Sequence, residues 1–486
     1  MKKAVVIGSG FAGIAAATKL ASEGFEVIVL EKNKQLGGRA RVFEVDGFKF
    51  DMGPSWYWMP DVFERYFAEF GKKPSEYYNL VRLDPSYKVI FSAEEEVNLP
   101  ANFNDLKQTF ETLEPGSGDN FEAFFKEAKY KYEVGMGEFV WKPSLSIKEF
   151  LDIRLLSKAI SLDLFASFSK HLRKFFKNPK LLKIMEFPVL FLGATPKDTP
   201  ALYSLMNYAE MALGTWYPMG GMHEIIKGMV NLAEDKGVKF LVNQEVMEIV
   251  AKDGSVKKII TNEGVYYPDL VVSGADYEHT ESLLSDNRNY GKKYWDKRLM
   301  APSSLLYYIG VNRKIDKLVH HNLFFDEDFA LHAEEIYTNP KWPTKPLFYA
   351  SAPSKTDDSV APEGYENLFL LIPIAPDLED KEEIREKYFE IMIQRLEKYV
   401  GHNVKDHIVF KKSYAVNDFK ADYHAFKGNA YGLANTLFQT AFLKPALKNK
   451  KLDNMYYTGQ LSVPGPGVPP ALISGLVVGD YISKNH

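Results

Sequence analysis

The run AVVIGSGFAGIAAATKLASEGFEVIVLE, from Ala4 to Glu31, constrains the fold more than any other stretch of the chain. A β-rich apolar segment leads into Gly8, Gly10 and Gly13. An alanine-rich helical pattern follows, Gly24 stops it, and a second β-rich segment ends on Glu31. The spacing predicts a β-α-β unit. Gly8 suits the tight turn, Gly10 the approach of backbone amides to a pyrophosphate at the helix N-terminus, and Gly13 close packing of helix on strand. Glu31 lies 18 residues after Gly13, at the end of the second strand, where a carboxylate accepts from ribose hydroxyls. A dinucleotide site is therefore expected.

The next residues choose between dinucleotides. QLGGRAR, Gln35 to Arg41, places a glycine pair and two cations beside the expected pyrophosphate. A nicotinamide site needs nothing of this kind, so FAD is expected, with Arg39 the stronger candidate contact and Arg41 the weaker.

Composition narrows the chemistry. The chain has no cysteine among its 486 residues, which excludes disulfides, thiolate metal sites, a nucleophilic thiol and a cysteinyl link to a flavin. The FAD should be non-covalent, and no metal site is expected. A formal charge of -4 provides no overall field for nucleic acid, so a small-molecule partner is expected. The apolar content of 46% supplies cores for two or three domains. MKKAVVIGSG reads as a first strand rather than an export signal, because Gly-Ser-Gly breaks the apolar run at once. No uninterrupted apolar stretch of about 18 residues is present to span a bilayer.

Further segments carry a resemblance. GFKFDMGPSWYWMP (Gly47 to Pro60), the PxGG turn of WYPMGGMHEII, the VxxI element at Val246, the return strand with Gly274, Ala275 and Asp276, and the C-terminal TGQLSVPGPGVPPALISG recur in order. Together with GxGxxG, Glu31 and GGR they resemble the flavin amine-oxidase and carotenoid-desaturase superfamily over the whole chain. Local agreement is best with bacterial carotenoid desaturases of the phytoene-desaturase type. The resemblance implies FAD contacts at Gly8, Gly10, Phe11, Ala12, Gly13, Glu31, Lys32, Gly38, Arg39, Gly53, Pro54, Ser55, Val246, Gly459, Val468, Pro469 and Leu472. Many members carry His before the Pro-Gly of the last motif where this chain has Val463, so no proton role passes to that position.

The expected fold class is α/β (α+β), with a Rossmann-type FAD-binding domain assembled from residues 1–85, 215–300 and 448–486. Residues 86–214 and 301–447 are expected to form a mixed-sheet substrate domain. Within 151–192, Leu155, Ala159, Leu162 and Phe165 recur at helical spacing, and Arg154 to Lys183 holds eight Lys or Arg against one acid, Asp163. This reads as a basic amphipathic region that associates with a membrane surface, on the cytoplasmic side. The competing reading is a core stripe with a solvated basic face.

The resemblance implies an oxidoreductase that introduces C=C bonds into a linear C40 carotenoid, either as a phytoene-type enzyme or as a 1-hydroxycarotenoid 3,4-desaturase. Oxygen or a quinone would be the electron acceptor. Trp56, Tyr57 and Trp58 are candidates to line an apolar tunnel, His223 is a weak candidate for function, and no catalytic side chain can be chosen from the residues. Two alternatives remain at this level: another flavin oxidase acting on amines or porphyrinogens, and a non-catalytic prenyl-binding protein of the same fold.

Overall fold

A computed structural model describes residues 1–146, 149, 166–436 and 439–486. Five short strands form one parallel sheet in the order Met455–Tyr457, Leu270–Ser273, Lys3–Ile7, Glu26–Leu30, Lys239–Leu241. Its central strands are apolar runs rather than alternating ones: Ala4, Val5, Val6 and Ile7 are all buried. A parallel sheet covered on both faces demands this pattern. The sheet gathers strands from far apart in the chain, and its crossover helices supply the covering layers.

Helix Phe11–Ser22 leaves the first strand through the glycine turn and is buried along most of its length. A Cβ on Gly13 would lie 2.0 Å from the Gly8 carbonyl oxygen, so only glycine allows helix and turn to touch. The C-terminal helix Val468–Asn485 packs on the same helix: a Cβ on Gly475 would come 2.3 Å from the Ala12 oxygen and 2.7 Å from the Ala15 methyl. Small residues on both partners bring the two backbones together. One turn along, Lys19 closes the seam in ion pairs with Glu23, Glu69 and Asp480 at 2.9, 2.6 and 3.1 Å.

A seven-stranded mixed sheet stands against this layer, in the order Ile408–Tyr414, Ser303–Val311, Glu366–Ile374, Phe348–Ser351, His321–Phe324, Tyr87–Ile90, Glu96–Leu99. Ser303–Val311 and Glu366–Ile374 pair antiparallel over nine residues and are almost wholly buried. One face packs on the 19-residue helix Glu382–Val400 through Phe389, Met392, Ile393 and Leu396. Leu306, Tyr308, Phe369 and Leu371 alternate onto the opposite face.

The basic region expected at 151–192 divides. The stripe Leu155, Ala159, Leu162, Phe165 lies outside the described residues. From residue 166 onward the chain forms short separate elements, Phe168–Leu172, Pro179–Glu186 and Phe187–Leu192, rather than one amphipathic helix. Their apolar side faces inward, with Phe168, Leu172, Phe176, Leu181 and Ile184 all fully buried. Pro179 and Pro188 break the helical run, and Arg173 folds back onto Glu186 at 2.7 Å. For this part the core-stripe reading is the one the packing supports. Among the described residues no helix is long and apolar enough to cross a membrane.

The helix seam generates a stability prediction. Gly475→Ala forces the two helices apart and should cost about 1–3 kcal/mol, read as a lower urea midpoint. An unchanged midpoint would mean that the contact relaxes freely.

Candidate flavin and substrate site

The parallel sheet ends in a cavity of about 830 Å³ that continues under the mixed sheet. The two packed helices aim their N-termini at it: Phe11 and Ala12 from one, Val468 and Pro469 from the other. Neither helix has a side-chain cap, since Gly10 and Gly467 hold the cap positions. In the first helix Phe11 and Ala12 have amides available to an anion, and in the second Val468 has one, since Pro469 and Pro470 carry no N–H; both dipoles favour an anion.

Glu31 lies at the polar end of the cavity. One carboxylate oxygen accepts from Ser9 N (3.0 Å) and Ser9 Oγ (2.6 Å), the other from Asn33 N (2.9 Å) and Nδ2 (3.0 Å). These contacts fix the carboxylate on the cavity wall. Lys32, Gln244, Glu245 and Val246 line the same end, with His279 and His424 stacked at 3.9 Å. Burial and the neighbouring His424 lower His279 to about 4, so that ring is neutral.

Arg39 reaches the middle of the cavity wall. Its terminal nitrogen donates to the Asn429 carbonyl at 3.2 Å, and its Nε is buried without a partner. Burial lowers its pKa, while Asp276 and Tyr423 oppose the shift. An unpartnered guanidinium edge on the same cavity wall as two uncapped helix N-termini suits a pyrophosphate. The buried donors, the fixed carboxylate and the glycine cradle at Gly8, Gly10 and Gly38 fit FAD. Arg41, expected to be the weaker contact, is committed elsewhere: it pairs with Asp422, bonds Tyr423 at 3.2 Å, and is absent from the wall.

All the expected cofactor contacts lie on the cavity except Gly13 and Leu472. Gly13 is occupied by its contact with Gly8. Leu472 is fully buried in the core and is not part of the wall. The aromatic triplet divides in the same way. Trp56 and Trp58 line the cavity, whereas Tyr57 stacks on Phe63 at 4.4 Å and bonds Tyr78 at 2.9 Å. Extended backbone sends successive side chains to opposite faces. His223 holds the Ala40 carbonyl through Nδ1 at 2.7 Å, a structural contact away from the wall.

Beyond the flavin motifs the cavity is mostly apolar, bounded by Met136, Leu202, Leu205, Leu306 and Leu371. Tyr349 and Ser304 from the mixed sheet also face it. The sequence marked neither, because a polar residue in a buried strand carries no motif. Lys444 and Asn435 were missed because isolated polar residues in irregular backbone carry no motif either. They flank the Pro-Gly loop, where a Cβ on Gly465 would meet Asn435 Oδ1 at 2.8 Å and Lys444 Nζ at 3.2 Å.

Two outcomes follow. Arg39→Ala removes charge-assisted contacts of roughly 1.5–3 kcal/mol, weakening FAD binding about one to two orders of magnitude in a fluorescence titration; equal affinity would place Arg39 outside the site. Lys444 is fully buried, and desolvation lowers it to about 7. A lysine whose folded pKa lies below its unfolded value carries its full stability penalty below about pH 7 and loses it as pH rises toward the unfolded value. In flavin-free protein, Lys444→Met should therefore gain more stability over wild type at pH 7 than at pH 10, as measured by urea titration.

Residues 11–482 match the family described as flavin containing amine oxidoreductase. A carotenoid 3,4-desaturase of Haloarcula japonica is 44% identical over 474 residues, covering 97% of this chain and 96% of that protein. A zeta-carotene-forming phytoene desaturase of Myxococcus xanthus is 30% identical, covering 98% and 93%. An oxidoreductase from Methanosarcina mazei shares the fold with a TM-score of 0.64 at 17% identity, covering 98% of this chain and all of that one. The match over nearly the full length joins the glycine turn, Glu31 and Arg39 to one conclusion: the chain belongs to the flavin-containing amine oxidoreductase family.

Proposed function

We propose that this protein is an FAD-dependent carotenoid desaturase acting near the end of a linear polyene, as a 3,4-desaturase. One observation carries the reading: the cavity that begins between the flavin motifs continues as a long, mostly apolar chamber under the mixed sheet. The similarity to a 3,4-desaturase over nearly the whole chain supports it. Residues 1–85, 215–300 and 448–486 then act as the cofactor domain and the remainder as the substrate domain.

Bound FAD supplies the two-electron oxidant that takes a hydride from an allylic carbon. The chain's own residues orient the polyene and exclude water. Leu306 and Leu371 present an apolar floor, and Leu202 and Leu205 an apolar wall, so the reacting carbons lie in a low dielectric. Trp56 and Trp58, with ring centroids 5.1 Å apart, offer π faces to positive charge developing along the polyene. Electrons then pass to oxygen or a membrane quinone.

The substrate must be collected from lipid. Where the cavity wall meets solvent, Phe442 and Leu443 remain 39% and 42% exposed. Leu145 adds an exposed apolar side chain beside Ser144 of the same wall. Lys170 and Lys174 are exposed on the segment that follows the undescribed residues. We read this rim as the face applied to the cytoplasmic membrane surface.

Product analysis in a host that makes defined precursors tests the reaction. A 1-hydroxylated carotenoid should gain one double bond and absorb at longer wavelength, while phytoene is a poor substrate. Turnover of amines alone would overturn the desaturase reading. Flotation tests the rim: Phe442→Ser with Leu443→Ser should abolish binding to anionic liposomes. Lys170→Glu with Lys174→Glu should weaken it by about 1 kcal/mol per lysine removed. Undiminished flotation of both variants would place the membrane contact elsewhere.

A further inference from the structure

Desaturation releases one proton for each hydride, and the inference here rests on the desaturase reading. Tyr349, in the strand Phe348–Ser351, presents its phenol to the substrate side of the cavity. His321 Nδ1 lies 2.6 Å from the Tyr349 oxygen, and Ser55 and Ser351 hydrogen-bond the same phenol. His321 is fully buried, its ring stacked on Trp56 at 4.0 Å and 19°, and its Nε2 has no partner. Burial, with His320 beside it, holds the imidazole well below its usual value. The ring is therefore neutral and has a lone pair to offer. With both serines donating to the phenol oxygen, the phenolic hydrogen points at His321 Nδ1.

A second cavity, of about 30 Å³, lies behind this group and is lined by Ser55, Ser351, His320, Tyr217, Lys49 and Asp51. It has room for a water molecule or two and the polar partners to hold them. Ser55 belongs to the walls of both cavities. Asp51 accepts from Met222 N at 2.7 Å and His223 N at 3.1 Å, and Lys49 leads outward to Glu224 at 3.1 Å. The large apolar chamber is thus joined to a small polar one through a hydroxyl and imidazole cluster.

We propose that Tyr349, backed by His321, accepts the proton lost by the substrate carbon, and that Ser55 and the chamber at Asp51 carry it toward solvent. The C–H bond on the carbon beside the hydride donor breaks heterolytically, and its electron pair becomes the π bond of the new C=C. The proton joins the Tyr349 oxygen as the phenolic proton moves to His321 Nδ1; it leaves as His321 returns its proton to the phenol oxygen while the phenol passes one to Ser55, whose own hydroxyl hydrogen goes to water in the chamber, and the hydride's two electrons go to the flavin. The cation left by hydride loss is a strong carbon acid, so a neutral phenol–imidazole pair is basic enough to accept from it. Tyr349 faces Tyr431 as well as His321, and His321 faces His320, which has Asp357 nearby. Around Asp51 stand Lys49, Glu224 and Tyr217. Burial raises Asp51 to about 6, so its carboxylate is available as the last acceptor at neutral pH.

The test uses the full-length FAD-loaded enzyme and a carotenoid deuterated at the carbon that loses its proton. Tyr349→Phe should lower kcat about 100-fold, leave KM unchanged and enlarge the isotope effect at that carbon. His321→Asn should do the same to a smaller degree. Independently of turnover, 15N-histidine spectra of the flavin-free chain should show His321 Nδ1 as an acceptor nitrogen, altered in Tyr349→Phe while the other histidines stay put. If Tyr349→Phe does not fold, Ser55→Ala keeps the phenol and should enlarge the solvent deuterium effect on kcat. An unchanged kcat and isotope effect in Tyr349→Phe, or a His321 Nδ1 that carries its own proton, would overturn the proposal. A wild type inert toward carotenoids yet active on amines would instead overturn the desaturase reading, and the spectra would still decide the hydrogen bond.

Discussion

The contact of helix Phe11–Ser22 with the turn beneath it and the C-terminal helix beside it is the constraint on which the site depends. Gly13 lies on the Gly8 carbonyl, and Gly475 on the backbone of Ala12. No side chain fits at either place. Because the helices run together in the same sense, two uncapped N-termini converge on one volume, although more than 450 residues separate them in the chain. An anion there meets amides from both ends of the sequence, with the unpartnered edge of Arg39 on the same wall.

The rest of the architecture distributes polarity along the cavity. At one end Glu31 and its serine and asparagine donors form a fixed acceptor, suited to sugar hydroxyls. At the other the mixed sheet contributes leucine and tyrosine faces and the segment before Pro60 contributes Trp56 and Trp58, suited to a long hydrocarbon. The few polar groups in that apolar region stand out on energetic grounds: burying an unpartnered polar atom costs about 1–3 kcal/mol. His321 Nε2, behind Tyr349, and Lys444 Nζ and Asn435 Oδ1, beside the Pro-Gly loop, are such atoms. Their cost is physical reason to connect them with chemistry rather than stability.

Much of the cofactor side was legible in the residues because it is built from local backbone requirements. A tight turn, a close helix contact and an acid at a strand end each demand particular residues at short, fixed spacings. Tyr57 departed from the expectation because extended backbone turns it to the face opposite Trp56 and Trp58, which do line the cavity; Leu472 is buried in the core. The basic region divides: its stripe up to Phe165 lies outside the described residues, and from residue 166 onward the apolar side chains are buried in the core, since an apolar face looks the same to a sequence whether lipid or protein covers it.

The sequence by itself determined a cofactor-binding β-α-β unit, its acid, its arginine and the absence of a cysteinyl tether, because these follow from contacts a few residues apart or from the lack of cysteine. Only the tertiary structure decided that Arg41 is bound to Asp422 while Arg39 keeps a free edge, and that Tyr349, His321 and Ser55 meet. Arg41 and Asp422 are 381 residues apart and Ser55 reaches Tyr349 from the flavin layer, while Tyr349 and His321, 28 residues apart, meet on neighbouring antiparallel strands. The long-range encounters depend on how the mixed sheet registers against the flavin layer, and no local spacing encodes that register.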